Sequence, residues 1–263
     1  MILSLHRFGA ADGEPLLAVH GVTGHGGRYR ALAERGLPQR RWLAVDLRGH
    51  GRSSWDAPWT ARRHVADLLE TIDAEGVERV DVVGHSFGGL LATQLAAAAP
   101  ERVRRVVLLD PAIDQDGNEM LEAAEETRTD EGWASRDEAV RARREGRPAQ
   151  ALPFVDVDLE EALEQGADGR WRLRFCRSTV VAAWSEMAEP PVSLAGFAGE
   201  LLLVPALQDG MVGEGLVESL GRDLGDRLTV HGLEAGHMVY WDAFDELVAL
   251  LREWLRRGGA SKS

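Results

Sequence analysis

A hydroxyl nucleophile needs a base, the base needs a carboxylate to orient it, and the charge developing on a substrate needs hydrogen-bond donors. The chain offers a candidate for each part. Ser86 stands in Gly84-His85-Ser86-Phe87-Gly88-Gly89, with an apolar run at 80–83 before it and a helix-like run at 90–99 after it. A strand that turns this sharply into a helix forces strained dihedrals on the serine. A side chain two positions to either side would clash, which is why both of those positions hold glycine. The hydroxyl is then held clear of the backbone at the carboxyl end of a strand. The first N–H groups of the next helix are left free for an anion. A chance match in a glycine-rich turn is the competing reading, and the strand before and helix after weigh against it.

Partners of such a serine belong at the carboxyl ends of other strands. His20, His25, His50 and His237 occupy such positions. His237, in the loop between the last strand and the closing helix, is best placed to be the base. His20 sits in a glycine-rich loop, His20-Gly21-Val22-Thr23-Gly24-His25-Gly26-Gly27, where its imidazole is expected to hold the loop by hydrogen bonds. His85, adjacent to the serine on a sharp turn, should point away from it. Two aspartates compete to orient the base. Asp209 follows the apolar run 201–205 and leaves room for one helix and one strand before His237. Asp110 ends the strand after the nucleophile helix and precedes Pro111, so it reads as a turn residue closing that strand. Asp209 is the expected acid. The expected oxyanion donors are the N–H groups of Phe87 and Val22, although Val22 also reads as an ordinary loop residue. The glycine-rich loop lacks both the Gly-Lys-Ser/Thr of a phosphate-binding loop and the spacing of a dinucleotide fold. No histidine–carboxylate spacing reads as a metal site, so no metal is expected.

These residues need a sheet to gather them. Runs at 16–20, 41–46, 80–84, 105–109, 200–205 and 227–231 are short and apolar, as buried parallel strands are. Residues 2–8 alternate apolar and polar and read as an edge strand. Thr60 caps a helix with apolar positions at Val65, Leu68, Leu69 and Ile72. Between 112 and 192 the pattern breaks: no buried strand is evident, and 119–126, 135–144, 159–164 and 179–187 read as helices. The expected organisation is a core of 1–111 and 193–263 with a helical cap at 112–192. Trp184 and Met187 lie three apart and share a helix face. With Met238 beside His237, they are expected to line a small apolar substrate pocket, the alternative being that they form the cap's own core.

The chain has 263 residues, room for one large α/β domain with an insertion. A net charge of −13 argues against nucleic acid and against anionic membrane surfaces as partners, and a small molecule is the expected one. The single cysteine, Cys176, cannot form an internal disulfide, which fits a reducing, cytoplasmic setting. No apolar run reaches membrane-spanning length, and the first residues do not read as a signal peptide. The last residues, 258–263, read as frayed. Monomer and dimer both remain open.

In order, His20-Gly21, Asp46-Leu47-Arg48-Gly49-His50-Gly51-Arg52-Ser53, the Ser86 pentapeptide, the Asp209 loop and Gly236-His237 resemble the α/β-hydrolase fold family. The resemblance is to its small soluble esterases, lactonases and carbon–carbon bond hydrolases. The chain order Ser, Asp, His is that of the family. The resemblance implies a mostly parallel central sheet with helices on both faces, a cap over the active site, and neither metal nor organic cofactor. It also implies that Arg48, His50 and Ser53 form a structural loop on the active-site side. Epoxide hydrolases and haloalkane dehalogenases carry aspartate where this chain has Ser86. The loop after His20-Gly21 lacks the Gly-Gly run of hormone-sensitive-lipase-like esterases. The expected activity is hydrolysis of a carboxylic ester or lactone of a small apolar or aromatic substrate through an acyl-enzyme. Hydrolysis of a carbon–carbon bond in diketone-type ring-cleavage products, by the same triad, is the alternative. A slow-turnover ligand receptor on this fold is a further one.

Overall fold

The structure is a computed structural model and describes residues 1–257; the tail at 258–263 lies outside the described residues. In chain order the elements are β1 (Leu5–Gly9), β2 (Pro15–Val19), β3 (Arg41–Val45), α1 (Ala61–Ala74), β4 (Val80–His85), α2 (Phe87–Ala98) and β5 (Val103–Leu109). There follow α3 (Gly117–Thr129), α4 (Arg136–Arg144), α5 (Leu152–Ala162), β6 (Leu163–Gln165), β7 (Trp171–Leu173) and α6 (Arg177–Met187). The chain closes with β8 (Glu200–Val204), α7 (Glu214–Leu224), β9 (Leu228–Val230), α8 (Val239–Asp242) and α9 (Phe244–Arg257).

Seven strands form one sheet in the order β1-β3-β2-β4-β5-β8-β9. Every pairing in it is parallel except that of β1 with β3 at the edge. The central strands are apolar on both sides because both faces are covered. Successive residues of β2 feed alternate faces: Leu17 and Val19 join the core with Leu68, Phe87 and Leu95, while Leu16 and Ala18 join the one with Tyr29, Trp42 and Leu247. Thr60 caps α1 as its sequence suggests, its hydroxyl accepting from the Arg63 N–H, and Val65, Leu68 and Ile72 are buried.

The segment between β5 and β8 carries α3 to α6, and it also contains a strand pair. Leu163–Gln165 pairs antiparallel with Trp171–Leu173. Residues 163 and 164, expected to end a helix, belong to this ribbon, and α5 begins earlier, at Leu152, with a proline in its first turn. Three-residue strands are too short for alternation to show in sequence. Only their turn is legible, where Asp168 accepts from the Arg170 N–H and Gly169 takes φ +79°. The segment docks on loops at the carboxyl end of the sheet: Cys176 N–H donates to Gly49 O (2.7 Å) and Gly51 N–H to Arg174 O (3.0 Å). Among the described residues no helix is long and apolar enough to cross a membrane.

Candidate active site

Ser86 sits between β4 and α2 with φ 54° and ψ −123°, a conformation that an L-residue holds only when its surroundings impose it. The flanking glycines have steric causes. A Cβ on Gly84 would strike the Gly88 carbonyl, and one on Gly88 would strike the Val19 carbonyl. Ser86 N–H donates to Leu109 O and Ser86 O accepts from Ala112 N–H, both at 3.2 Å. Phe87 is the first residue of α2, so its N–H has no acceptor within the helix.

The glycine-rich loop packs directly against this turn. A Cβ on Gly21 would lie 2.8 Å from the Ser86 Cβ. His20 fastens the loop through both ring nitrogens: Nδ1–H donates to Gly21 O (2.7 Å) and Nε2 accepts from Leu47 N–H (3.0 Å). Burial holds its pKa well below the usual value, consistent with a neutral ring. Val22 follows, half-buried against the cluster that contains Phe87.

His237 Nδ1 lies 2.6 Å from Asp110 Oδ2 and 3.4 Å from Asp209 Oδ2. Both aspartates therefore reach the base, and the one read from sequence as a turn residue is the nearer. Asp110 is fully buried, has φ 43°, and its Oδ1 accepts the Ala206 N–H at 2.9 Å. Asp209 is about a third exposed, at 31% of its side chain. The reason lies in strand order. β5 and β8 are neighbours with Leu109 opposite Val204, so the two carboxyl ends deliver their aspartates to one place. Backbone bonds from Leu207 to Leu233 and from Gln208 to Ala235 then lace the Asp209 loop to the His237 loop.

Burial opposes a charge on His237, but the bonds to Asp110 and Asp209 outweigh it and raise its pKa to about 9. Burial also holds the Asp110 pKa above its usual value, against the pull of His237. Asp209 shifts down, chiefly through its interaction with His237.

One supporting role, that of His85, is not legible in the sequence. His85 Nε2–H donates to the His237 carbonyl at 2.8 Å, the two rings are 4.6 Å apart, and Tyr240 packs edge-on against His85. Burial, then the neighbouring His237, pushes its pKa well down, so it serves as a neutral donor. Its place beside the serine is the only signal, and that position says where it points away from, not what it meets.

The expected pocket residues are dispersed. Met187 is buried in the cluster that includes Phe87 and Ile113, and Trp184 packs half-buried against the same cluster, its indole N–H donating to Thr127 Oγ1 (2.9 Å). Met238 lies in the core on the other face, with Tyr240 and Val239. Among the described residues, two groups of side chains have the spacing to hold a cation: Asp110, Asp209 and His237, and separately His6, His25 and Asp46.

A family model described as alpha/beta hydrolase fold matches residues 14–244. The chain is 36% identical over 262 residues to the lipase LipV of Mycobacterium tuberculosis, covering 97% of this chain and 99% of the relative. It is 39% identical over 110 residues to a 2-hydroxymuconate semialdehyde hydrolase of Pseudomonas putida, covering 40% of this chain and 38% of that protein. Among solved structures, E-2-(acetamidomethylene)succinate hydrolase superposes with a TM-score of 0.81 at 20% identity, over 97% of this chain and 95% of the other, which is a likeness of fold.

Proposed function

Because the chain belongs to the α/β-hydrolase family and is a hydrolase, we propose that it cleaves a carboxylic ester or lactone of a small apolar or aromatic substrate through an acyl-enzyme. The observation that carries the reading is the strained Ser86 on its elbow, whose neighbour His85 places its ring 4.6 Å from that of His237, a histidine held by two carboxylates. Ser86 Oγ attacks the carbonyl carbon while His237 Nε2 takes its proton. The N–H groups of Val22 and Phe87 stabilise the oxyanion. The imidazolium returns the proton to the departing alkoxide, and a water activated by His237 then releases the acid. Asp110 is the principal orienting carboxylate, with Asp209 in support; either one stabilises the imidazolium. Residues 112–192 act as the cap, and Trp184, with Met187 behind it, shapes the acyl side of the pocket, while Met238 packs behind the base.

The similarity to a lipase over almost the whole chain supports ester chemistry. The likeness to a semialdehyde hydrolase, confined to 40% of the chain, supports carbon–carbon bond cleavage as a second reading with the same residues. The test is covalent labelling with a fluorophosphonate, followed by peptide mapping and by turnover of p-nitrophenyl esters over many cycles. Ser86 is expected to carry the label, and Ser86→Ala to lose roughly 10³-fold or more in kcat. Labelling at Ser53 or Ser54 with Ser86 untouched refutes the assignment. A single burst without turnover points to a receptor rather than an enzyme.

A further inference from the structure

Away from the serine, a second group of side chains converges where α5 meets β1, the glycine-rich loop and the end of β3. His6 Nε2 lies 2.9 Å from Asp46 Oδ1, and His6 Nδ1 lies 4.0 Å from Glu161 Oε2. His25 Nδ1 lies 3.4 Å from the same Glu161 oxygen. Ligand atoms of His6, His25 and Asp46 all fall within 4.8 Å of one another. Two glycines keep the space open. A Cβ on Gly26 would press on the His6 ring at 2.8 Å, and one on Gly27 would strike Glu161 Oε2 and crowd His25 Nδ1 at 2.8 Å.

A tetrahedral zinc ion, bound by nitrogen and oxygen at about 2.0–2.2 Å, sets its ligand atoms roughly 3.3–3.5 Å apart. His25 Nδ1 and Glu161 Oε2, at 3.4 Å, already have that spacing; His6 faces Asp46 with Nε2 and Glu161 with Nδ1, so a shared ion takes one His6 nitrogen and draws the remaining carboxylate in. The outer contacts are also those of a metal site. His25 gives its other nitrogen, Nε2, to the buried Asp158 carboxylate at 2.8 Å, which leaves Nδ1 facing the group. Arg30 holds the opposite oxygen of Glu161 (2.8 Å), and the N–H groups of Gly26 (2.8 Å) and Arg52 (2.9 Å) hold Asp46. Metal-bound histidines and carboxylates are typically fixed by such partners. A cleft of about 250 Å³, walled in part by His25, Gly27 and Glu161, gives a path from solvent.

We propose that His6, His25 and Asp46, with Glu161 moving in as the fourth ligand, form a binding site for a divalent transition metal of the zinc class, separate from the serine chemistry, and that the bound ion staples α5 to the core. Imidazole ligands favour such ions over magnesium or calcium. Binding opens the His6–Asp46 hydrogen bond and draws the Glu161 carboxylate toward the ion.

The experiment titrates metal-free full-length protein with zinc chloride by isothermal calorimetry and follows thermal unfolding with and without zinc. One zinc per chain and a Tm that rises with zinc are expected. Glu161→Gln and His6→Asn, both at partly exposed positions, should each weaken binding by about tenfold or more and remove the rise in Tm, with an unchanged circular dichroism spectrum. His237→Gln, which breaks up the other group of potential ligands, should leave zinc binding as it was. Absence of uptake, uptake that survives both Glu161→Gln and His6→Asn, or uptake lost in His237→Gln would overturn the proposal.

Discussion

Two carboxylates reach one imidazole nitrogen unequally, and under the proposed mechanism they divide the work unequally. Asp110 is buried, bonded at 2.6 Å and fixed by the Ala206 N–H; Asp209 is about a third exposed, at 3.4 Å. Asp110→Asn is therefore expected to cost roughly 10³–10⁴-fold in kcat, the scale seen when a triad acid is neutralised, and Asp209→Asn much less. The reverse order, in variants with native circular dichroism, would make Asp209 the acid. The same geometry sets the pH profile. A base must be neutral to accept a proton, so if His237 is the base as proposed, with its pKa raised to about 9, kcat/KM should climb through neutrality and level off near that pH. Asp209→Asn removes one stabilising charge and should move this limb to lower pH. Stability follows the opposite sign. The folded pKa lies above the unfolded value of 6.5, so the contribution of His237 is complete below about 6.5 and is lost as pH rises through about 9. The Tm difference between wild type and His237→Gln should shrink across that window.

At the scale of the elements, the turn between β4 and α2 tolerates no side chain at its glycines. Gly88 faces the Val19 carbonyl of the neighbouring strand, and no rotamer can relieve a clash with backbone. Gly88→Ala should lower stability by about 1–3 kcal/mol and remove most activity by displacing Ser86. Gly221 is the contrast. It lies inside α7 with nothing within 4 Å of where a Cβ would stand. Gly221→Ala should raise stability by about 0.5–1 kcal/mol and leave activity alone. Urea unfolding and ester turnover on the two variants measure both effects. Equal behaviour of the two glycines would refute the steric account of the elbow.

For the whole molecule, the proposed cap at 112–192 makes substrate choice depend on how that segment sits over the sheet. The segment is tied down by a buried charge network, in which Asp158 of α5 accepts from Arg28 Nε (2.7 Å) and His25 Nε2 (2.8 Å), and by the backbone bonds of Gly49 and Gly51. On the proposed ester chemistry, a cover fastened in this way is expected to favour compact acyl groups. Across p-nitrophenyl esters from acetate to palmitate plus phenylacetate, the specificity constant should peak at short or aromatic acyl chains. Trp184→Ala should shift that peak toward longer ones. A maximum at palmitate, or a Trp184→Ala profile identical to wild type, contradicts the role given to Trp184.

What could be read along the chain was local. The elbow, the Thr60 cap, the apolar strands and the His20 clasp depend on residues that are near one another in sequence or that obey a short period, so their sterics and patterning are visible in a few residues. The ribbon at 163–173 was missed because its strands are shorter than one readable period. The choice between Asp110 and Asp209 could not be read, because it depends on β5 and β8 being neighbours and on the curl that brings both ends to His237. His85 reaching the His237 carbonyl, and His6, His25, Asp46 and Glu161 meeting across four separate elements, belong to the same kind. Spacing rules for metal or acid–base pairs see only residues that one element carries; which strands pair, and how the inserted segment docks, is settled by burial of both sheet faces at once.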